Sequence, residues 1–353
     1  MEIDWGIVLA SVFVGFTVGL TGMGGGALMT PILLIFFGIS PTTAVSSDLV
    51  AAMAMKPVGG GVHIRRKTVR WELVKWLCVG SIPMAFAGVL VLNASGDSEH
   101  IEEVTQIFLG ITLLLAAGAM IVKAWLQGRR TAAARRAGMG DGVHSGVLEV
   151  KIAATIVIGM VGGLLVGLTS VGSGSIIIIC LMLLYPNLRG AELVGTDLVQ
   201  AVPLVSSAAI AHVIVGDFVL GLTASILIGA LPAVWVGARL SSKAPDGVIR
   251  PILVFVLVAS ALKLLDVPNS TLGMVLVAGS LIALPVWGAI DAAMHSERQW
   301  AAAGLPRASW IKRQAWLAPV GLGFAFAVAY FARIRPQLST SAGGAVEIVE
   351  VLP

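Results

Sequence analysis

The sequence predicts an all-α integral membrane protein: two inverted repeats of about five segments with broken short helices, plus two extra C-terminal segments. Three observations carry this. The composition is too apolar for a water-soluble globule, with 57% of the 353 residues hydrophobic and 12% charged, where a soluble domain is roughly a quarter charged. Apolar runs long enough for membrane crossing recur from end to end. The glycine-rich stretch GLTGMGGGAL, residues 19–28, returns as GLTSVGSGSI, residues 167–176.

The apolar segments lie near 6–20, 26–40, 43–62, 73–92, 104–123, 152–168, 175–186, 194–214, 218–239, 249–266, 271–290 and 316–332. The first closes on the glycine stretch, and the second is shorter than the roughly 20 residues a helix needs to cross the hydrocarbon. The third carries Ser47, Asp48 and Lys56-Pro57, and the fourth is marked by Gly80, Pro83 and Gly88. The acidic connection NASGDSEHIEE, 93–103, leads into the fifth. After it comes GRRTAAARRAGMGDG, 128–142, the one long polar stretch, read as a solvated linker. The next five segments repeat the pattern, and the last two have no counterpart. The domain reading is a first transmembrane repeat at 1–127, a basic cytoplasmic linker at 128–150 and a second repeat at 151–268. Additional segments follow at 269–335, then a polar tail at 336–353.

Lys and Arg set the orientation, because they concentrate in cytoplasmic loops. With the N-terminus outside and one crossing per segment, the inside loops collect Arg65, Arg66, Lys67, Arg70, Lys75, the basic linker and most of the remaining basic residues. Lys56 and Lys263 fall within segments; Arg333 and Arg335 fall outside and conflict with the rule.

Several classes are set aside. The net charge of +4 does not mark a nucleic-acid binder, because the positive charge sits in short loops between apolar runs. Cys78 and Cys180 lie inside apolar runs, which speaks against a disulfide framework and against a metal site. No G-x-x-x-x-G-K-[ST] motif is present, so no ATP motor is expected, and no cofactor. The start MEIDWGIVLA lacks a basic region and a cleavage site, so no signal peptide is expected. The lipid bilayer is an expected partner, in a multi-pass membrane protein; a homo-oligomer is compatible with the sequence.

The two halves align residue by residue. Gly19-Leu20-Thr21 recurs as Gly167-Leu168-Thr169, 148 residues on (167 − 19). Asp48 recurs as Asp197, 149 on (197 − 48), and Ser47, His63, Gly80, Pro83 and Gly88 meet Thr196, His212, Gly229, Pro232 and Gly237 at the same offset. An odd number of segments per repeat turns the second copy upside down. Inverted repeats with discontinuous helices at matching positions point to a midplane binding site.

These residues resemble the sulfite exporter TauE/SafE family of membrane permeases. The resemblance covers roughly residues 6–266 and rests on GLTGMGGGALMTPIL and SSDLVAAM with their second copies GLTSVGSGSIIII and GTDLVQAV. It implies movement of sulfite, sulfonates or related small anions or organic acids across the bacterial inner membrane.

Glycine permits a sharp break in a helix and lets a ligand approach the main chain. A helix that starts at such a break presents free N–H groups and roughly half a positive charge, which bind anions without a basic side chain. Two inverted copies would aim two such ends at one cavity. The candidate substrate-binding set is therefore Thr21, Gly22, Gly24, Gly25 and Gly26 with Thr169, Ser170, Gly172, Ser173, Gly174 and Ser175. Close helix packing by small residues is the competing reading of the glycines, and helix capping or back-bonding that of the hydroxyls.

Asp48 and Asp197 are intramembrane carboxylates, functional candidates by default. With Ser47 and Thr196 they are candidates for proton coupling or gating; alternatively each caps backbone at a helix break. Lys56 is an accessory candidate that either offsets Asp48 or attracts substrate. His63 and His212 are accessory candidates for pH sensing or ordinary interfacial residues. A proton-coupled secondary transporter is thus favoured. A passive anion channel shares most of its features. An intramembrane hydrolase built on Ser173 and His212 is weaker, because Gly25 stands at the position matching Ser173.

Overall fold

In the computed structural model, the described residues are 3–21, 25–94, 97–136, 149–188, 190–215, 218–240 and 246–268, followed towards the C-terminus by 288–289, 292, 300–301, 303–317, 327, 329–330, 334 and 337–338. Apart from an isolated bridge between Gly172 and Gly174, the regular structure of these residues is helical. The helices are α1 (Trp5–Thr21), α2 (Gly26–Phe37), α3 (Pro41–Arg65), α4 (Trp71–Asn93), α5 (Ser98–Arg136), α6 (Ile152–Thr169), α7 (Ile176–Leu184), α8 (Gly190–Val215), α9 (Leu220–Leu240) and α10 (Asp246–Leu264). The last, α11, is Arg307–Leu317. Five of them, α4, α5, α6, α8 and α9, contain stretches long and apolar enough to cross a membrane. The predicted segment at 271–290 lies outside the described residues except for 288–289, and that at 316–332 except for 316–317, 327 and 329–330.

Among the described residues, the apolar runs become helices close to where the hydropathy places them. The exception is α5, which continues through QGRRTAAARR to Arg136, so the first part of the predicted linker is helical. Ala, Arg and Gln are strong helix formers, and this turn-free sequence extends the helix beyond its apolar part. Residues 137–148 lie outside the described residues.

The chain divides into two compact units. The first comprises Met1–Lys123, Val143–Ala244 and Val256–Asp266; the second comprises Ala124–Gly142, Pro245–Phe255 and Val267–Pro353. In the second, Trp300 and Tyr330 stack with ring centroids 6.2 Å apart in a small core with Ala292, Ile334 and Leu338. The Trp300 indole N–H donates to the Ala292 carbonyl at 3.2 Å, so the buried ring is satisfied at its polar edge.

The first unit is organised by pairs of closely packed helices: α1 against α9, α4 against α6, and α3 against α8. Small residues make the first two pairs. A Cβ on Gly80 of α4 would lie 2.2 Å from the Ile156 carbonyl oxygen, and one on Gly229 of α9 would lie 2.2 Å from that of Val8. A Cβ on Gly163 of α6 would lie 2.3 Å from the Ser81 carbonyl oxygen, and one on Gly15 of α1 would lie 2.6 Å from that of Ala230. Gly167 against Ala85 and Gly19 against Val234 make a third such couple. Each of these contacts in one pair has its counterpart in the other at the sequence offsets of the two halves, and both pairs run parallel. Without a hydrophobic driving force between helices in lipid, backbone-to-backbone approach of this kind supplies the association.

Gly163→Leu and Gly15→Leu are therefore expected to force their helices apart, each costing roughly 1–3 kcal/mol. Gly118→Leu in α5, where an added Cβ meets nothing within 4 Å, is the control. Thermal unfolding of the detergent-solubilised protein measures the difference: the first two lower the midpoint and the third leaves it near wild type.

Helices α3 and α8 cross antiparallel. Gly60 lies beside Leu198 and Val199, and further along the crossing Val45, Leu49 and Ala52 of α3 share a dry core with Leu204, Val205, Ala208 and Ala209 of α8. The short helices double back. Tyr185, just after α7, accepts from the Lys151 N–H at 3.0 Å and shares a 2.6 Å hydrogen bond with Thr155 near the start of α6. Gly6 likewise meets the ring of Phe37, which returns the end of α2 to the start of α1. With 12 and 9 residues, α2 and α7 span about 18 and 14 Å, less than the roughly 30 Å of hydrocarbon.

Apolar side chains such as Trp5, Leu9, Phe13, Val91 and Leu220 point outward, as lipid-facing surface does. At the basic end of α9 the Arg239 guanidinium stacks on Trp235, 3.5 Å from the ring centroid, a pairing suited to the headgroup level.

Candidate functional site

The two glycine stretches each divide into a packing part and a break. Gly19 and Gly167 belong to the helix pairs just described. Beyond them α1 stops at Thr21 and α2 starts at Gly26; α6 stops at Thr169 and α7 starts at Ile176. In the second break Ser170 has φ 60°, Gly172 φ 125° and Gly174 φ 90°, left-handed conformations that glycine adopts without strain. In the first, Gly22 and Gly24 lie outside the described residues, as does the side chain of Thr21. Gly25 has a helical conformation and its carbonyl accepts the first bonds of α2, from Leu28 and Met29.

The breaks meet. A Cβ on Gly26 would lie 2.1 Å from the Ser170 carbonyl oxygen and 2.5 Å from its Oγ, so the first turn of α2 rests on the break after α6. Asp48 of α3 is wholly buried. Its Oδ2 accepts from Ser170 Oγ at 2.6 Å and from Thr30 Oγ1 of α2 at 3.3 Å. Its Oδ1 is buried without a hydrogen-bond partner among the described residues and faces Gly25, whose added Cβ would lie 3.8 Å away. Lys56, two turns further along α3, donates to Ser173 in the same break and lies in the electrostatic field of both Asp48 and Asp197.

Asp197 of α8 is also buried. It accepts from Gln200 Nε2 at 3.2 Å and from the Gly174 backbone N–H. Ser81 of α4 donates to Gln200 Oε1 at 3.4 Å. One connected set of buried polar groups thus joins α2, α3, α4 and α8 to the α6–α7 break. In apolar surroundings each such group must be satisfied or costs several kcal/mol.

The remaining candidates fall into place around this set. Asp48 and Asp197 lie inside helices that begin at Pro41 and Gly190, so neither caps a helix. Thr169 Oγ1 donates to the Leu165 carbonyl at 2.6 Å and accepts from the Val171 N–H at 3.2 Å, which is back-bonding and capping. Ser175 precedes α7 without a side-chain capping bond. Ser47 contributes its carbonyl to Thr223 Oγ1 at 3.3 Å.

Thr196 accepts from the Arg70 N–H at 3.0 Å, and the Arg70 guanidinium pairs with Glu192 at 2.7 Å. His63 shares a 2.9 Å hydrogen bond with Thr68, and a Cβ on Gly195 would lie 2.8 Å from Thr68 Oγ1, so the α3–α4 loop packs on the start of α8. His212 is buried rather than interfacial and pairs with the Gly167 carbonyl at 3.0 Å. Ser173 and His212 therefore spend these hydrogen bonds on different partners and form no nucleophile–base pair.

Sequence reasoning does not single out Thr30, Ser81 and Gln200. Each is a polar residue inside an apolar run, and Gln200, three residues after Asp197, carries the strongest signal because helical spacing puts the two on one face.

Paired helix breaks around buried carboxylates and a lysine, in a bundle of apolar helices, fit a membrane transporter. The chain belongs to the sulfite exporter TauE/SafE family, whose sequence profile matches residues 7–264. It is similar to the probable membrane transporter protein YjnA of Bacillus subtilis (strain 168), 40% identical over 73% of this chain and 98% of the relative. It is also similar to the probable membrane transporter protein YdhB of the same organism, 25% identical over 69% and 93%. A shorter similarity, 29% identity over 33% of this chain, is to the probable membrane transporter protein MamO of Paramagnetospirillum magneticum (strain ATCC 700264 / AMB-1) and covers 18% of that protein. No solved structure matches. The protein is a multi-pass membrane transporter of the cell membrane and not an enzyme.

Proposed function

We propose that the protein is a proton-coupled secondary transporter of small anions such as sulfite, sulfonates or related organic acids, with its site at the paired breaks of two inverted repeats. The observation that carries this reading is the buried junction itself. Groups from the α6–α7 break, Ser170 and Ser173, reach Asp48 and Lys56 of the other half, and Gly26 brings the α2 start against the same break. Inversion is supported by α3 and α8, counterparts in the repeat that cross antiparallel, and by the matched contacts of α1–α9 and α4–α6. The α2 and α7 starts supply main-chain N–H groups for an anion, and Asp48 and Asp197 supply carboxylates for a coupling proton.

Uptake of sulfite, sulfoacetate and acetate into proteoliposomes tests the site. Gly25→Leu fills the space beside Asp48 Oδ1 and Met55, and Ser173→Leu fills the break itself. Both variants are expected to insert normally and to lose at least about tenfold in uptake, equivalent to ~1.4 kcal/mol. Wild-type uptake in both would remove the site from the breaks.

A further inference from the structure

The scaffold is duplicated, but its chemistry is not. Lys56 corresponds in the second half to Val205, Thr30 to Ile178, Gln200 to Ala51 and Ser81 to Ala230. Val205 is buried in the dry core with Leu49, Ala52, Ala85 and Val166, so the mirror position of the lysine offers an anion neither charge nor polar surroundings.

We propose that the duplicated scaffold holds a single site for a small oxoanion, in which the Lys56 ammonium takes the negative charge and the Ser173 hydroxyl stands beside it. This rests on the anion-transport reading and assigns that site its charge-bearing group. An ammonium has three donors. Lys56 spends one on Ser173 and makes no ion pair within 4.0 Å with Asp48 or Asp197, although it lies in the field of both.

Each carboxylate has other partners. Asp48 has Ser170 and Thr30. Asp197 has Gln200, the Gly174 N–H and the field of Lys123. The lysine is therefore close enough to be held in place by two carboxylates without being consumed by either. Among the described residues its other donors have no hydrogen-bond partner, which leaves them for a ligand's oxygens. The ammonium lies beside the glycine break through its bond to Ser173, where backbone can approach the same ligand.

Isothermal titration of the purified full-length protein with sodium sulfite, and in parallel with sodium sulfoacetate and sodium acetate, tests this directly. The expected result is one anion bound per chain for at least one of the three. Lys56→Met should weaken that binding at least tenfold, Lys56→Arg should restore it to within a few-fold of wild type, and Ser173→Ala should weaken it several-fold. Two anions per chain, or Lys56→Met binding as tightly as wild type, overturns the proposal and leaves the transport reading standing. No binding of any of the three to the wild type overturns both. If Lys56→Met does not fold, Ser173→Ala decides: unchanged affinity in that variant also overturns the assignment.

Discussion

Asp48→Asn is expected to abolish accumulation driven by a pH gradient while leaving downhill anion flux in place. The carboxamide keeps the shape of the side chain and can still accept from Ser170 and Thr30, which now hold Oδ2. It cannot take up and release a proton. Asp48 has one carboxylate oxygen held by two hydroxyls and the other buried without a hydrogen-bond partner among the described residues, so a proton has an oxygen to sit on. Asp48→Ala goes further. It strands the buried Ser170 hydroxyl and removes a counter-charge from Lys56, and breaking a buried charged network in this way costs about 3–5 kcal/mol. That variant is expected to lose both transport and thermal stability. Comparing pH-driven accumulation with downhill flux for the two variants separates coupling from integrity. Undiminished accumulation in Asp48→Asn would remove Asp48 from the coupling step.

Gly26→Leu is expected to have the second largest effect. Even a methyl group there would lie 2.1 Å from the Ser170 carbonyl oxygen, and the obstacle is backbone, which cannot turn aside as a flexible side chain can. The α2 start must then move off the α6–α7 break, and Ser170 moves away from Asp48. Overpacking of this kind costs about 1–3 kcal/mol. Here the displacement also opens the Ser170–Asp48 hydrogen bond, which ties Asp48 to the other half. Transport should fall below detection while the packing of α4 on α6, made elsewhere, persists. Gly25→Ala is the matched control: its Cβ meets only the terminal methyl of Met55 at 3.2 Å and Asp48 Oδ1 at 3.8 Å, and it should retain most activity. Equal activity of Gly26→Leu and Gly25→Ala would show that contact between the breaks is dispensable.

Most of the helices are legible in the sequence because membrane crossing forces long apolar runs, and those runs end at charged or glycine-rich punctuation. The break after α6 is legible for the same reason: Gly172 and Gly174 interrupt an apolar run at the point where the backbone turns left-handed. The C-terminal end of α5 is not, because TAAARR is helical by propensity rather than by hydropathy.

Two things cannot be separated in the sequence. Gly15 and Gly163, which let helices touch, look the same as the glycines that break helices, since both roles need only the absence of a side chain. The polar set around Asp48 is tertiary: Ser170 reaches Asp48 over 122 residues of chain and Lys56 reaches Ser173 over 117. The repeat shows which positions correspond. It does not show that α3 of one half completes the break of the other. In the sequence Lys56 stands out only as a charge within an apolar segment, and its weight comes from where α3 places it.

The most direct test of the central claim is accumulation of sulfite by proteoliposomes holding the wild-type protein under an imposed pH gradient, followed until the flux stops. A proton-coupled anion transporter concentrates sulfite beyond its own electrochemical equilibrium and loses that excess when the gradient is collapsed. Flux that halts at equilibrium whatever the pH gradient would contradict coupling and leave a passive pathway through the same breaks.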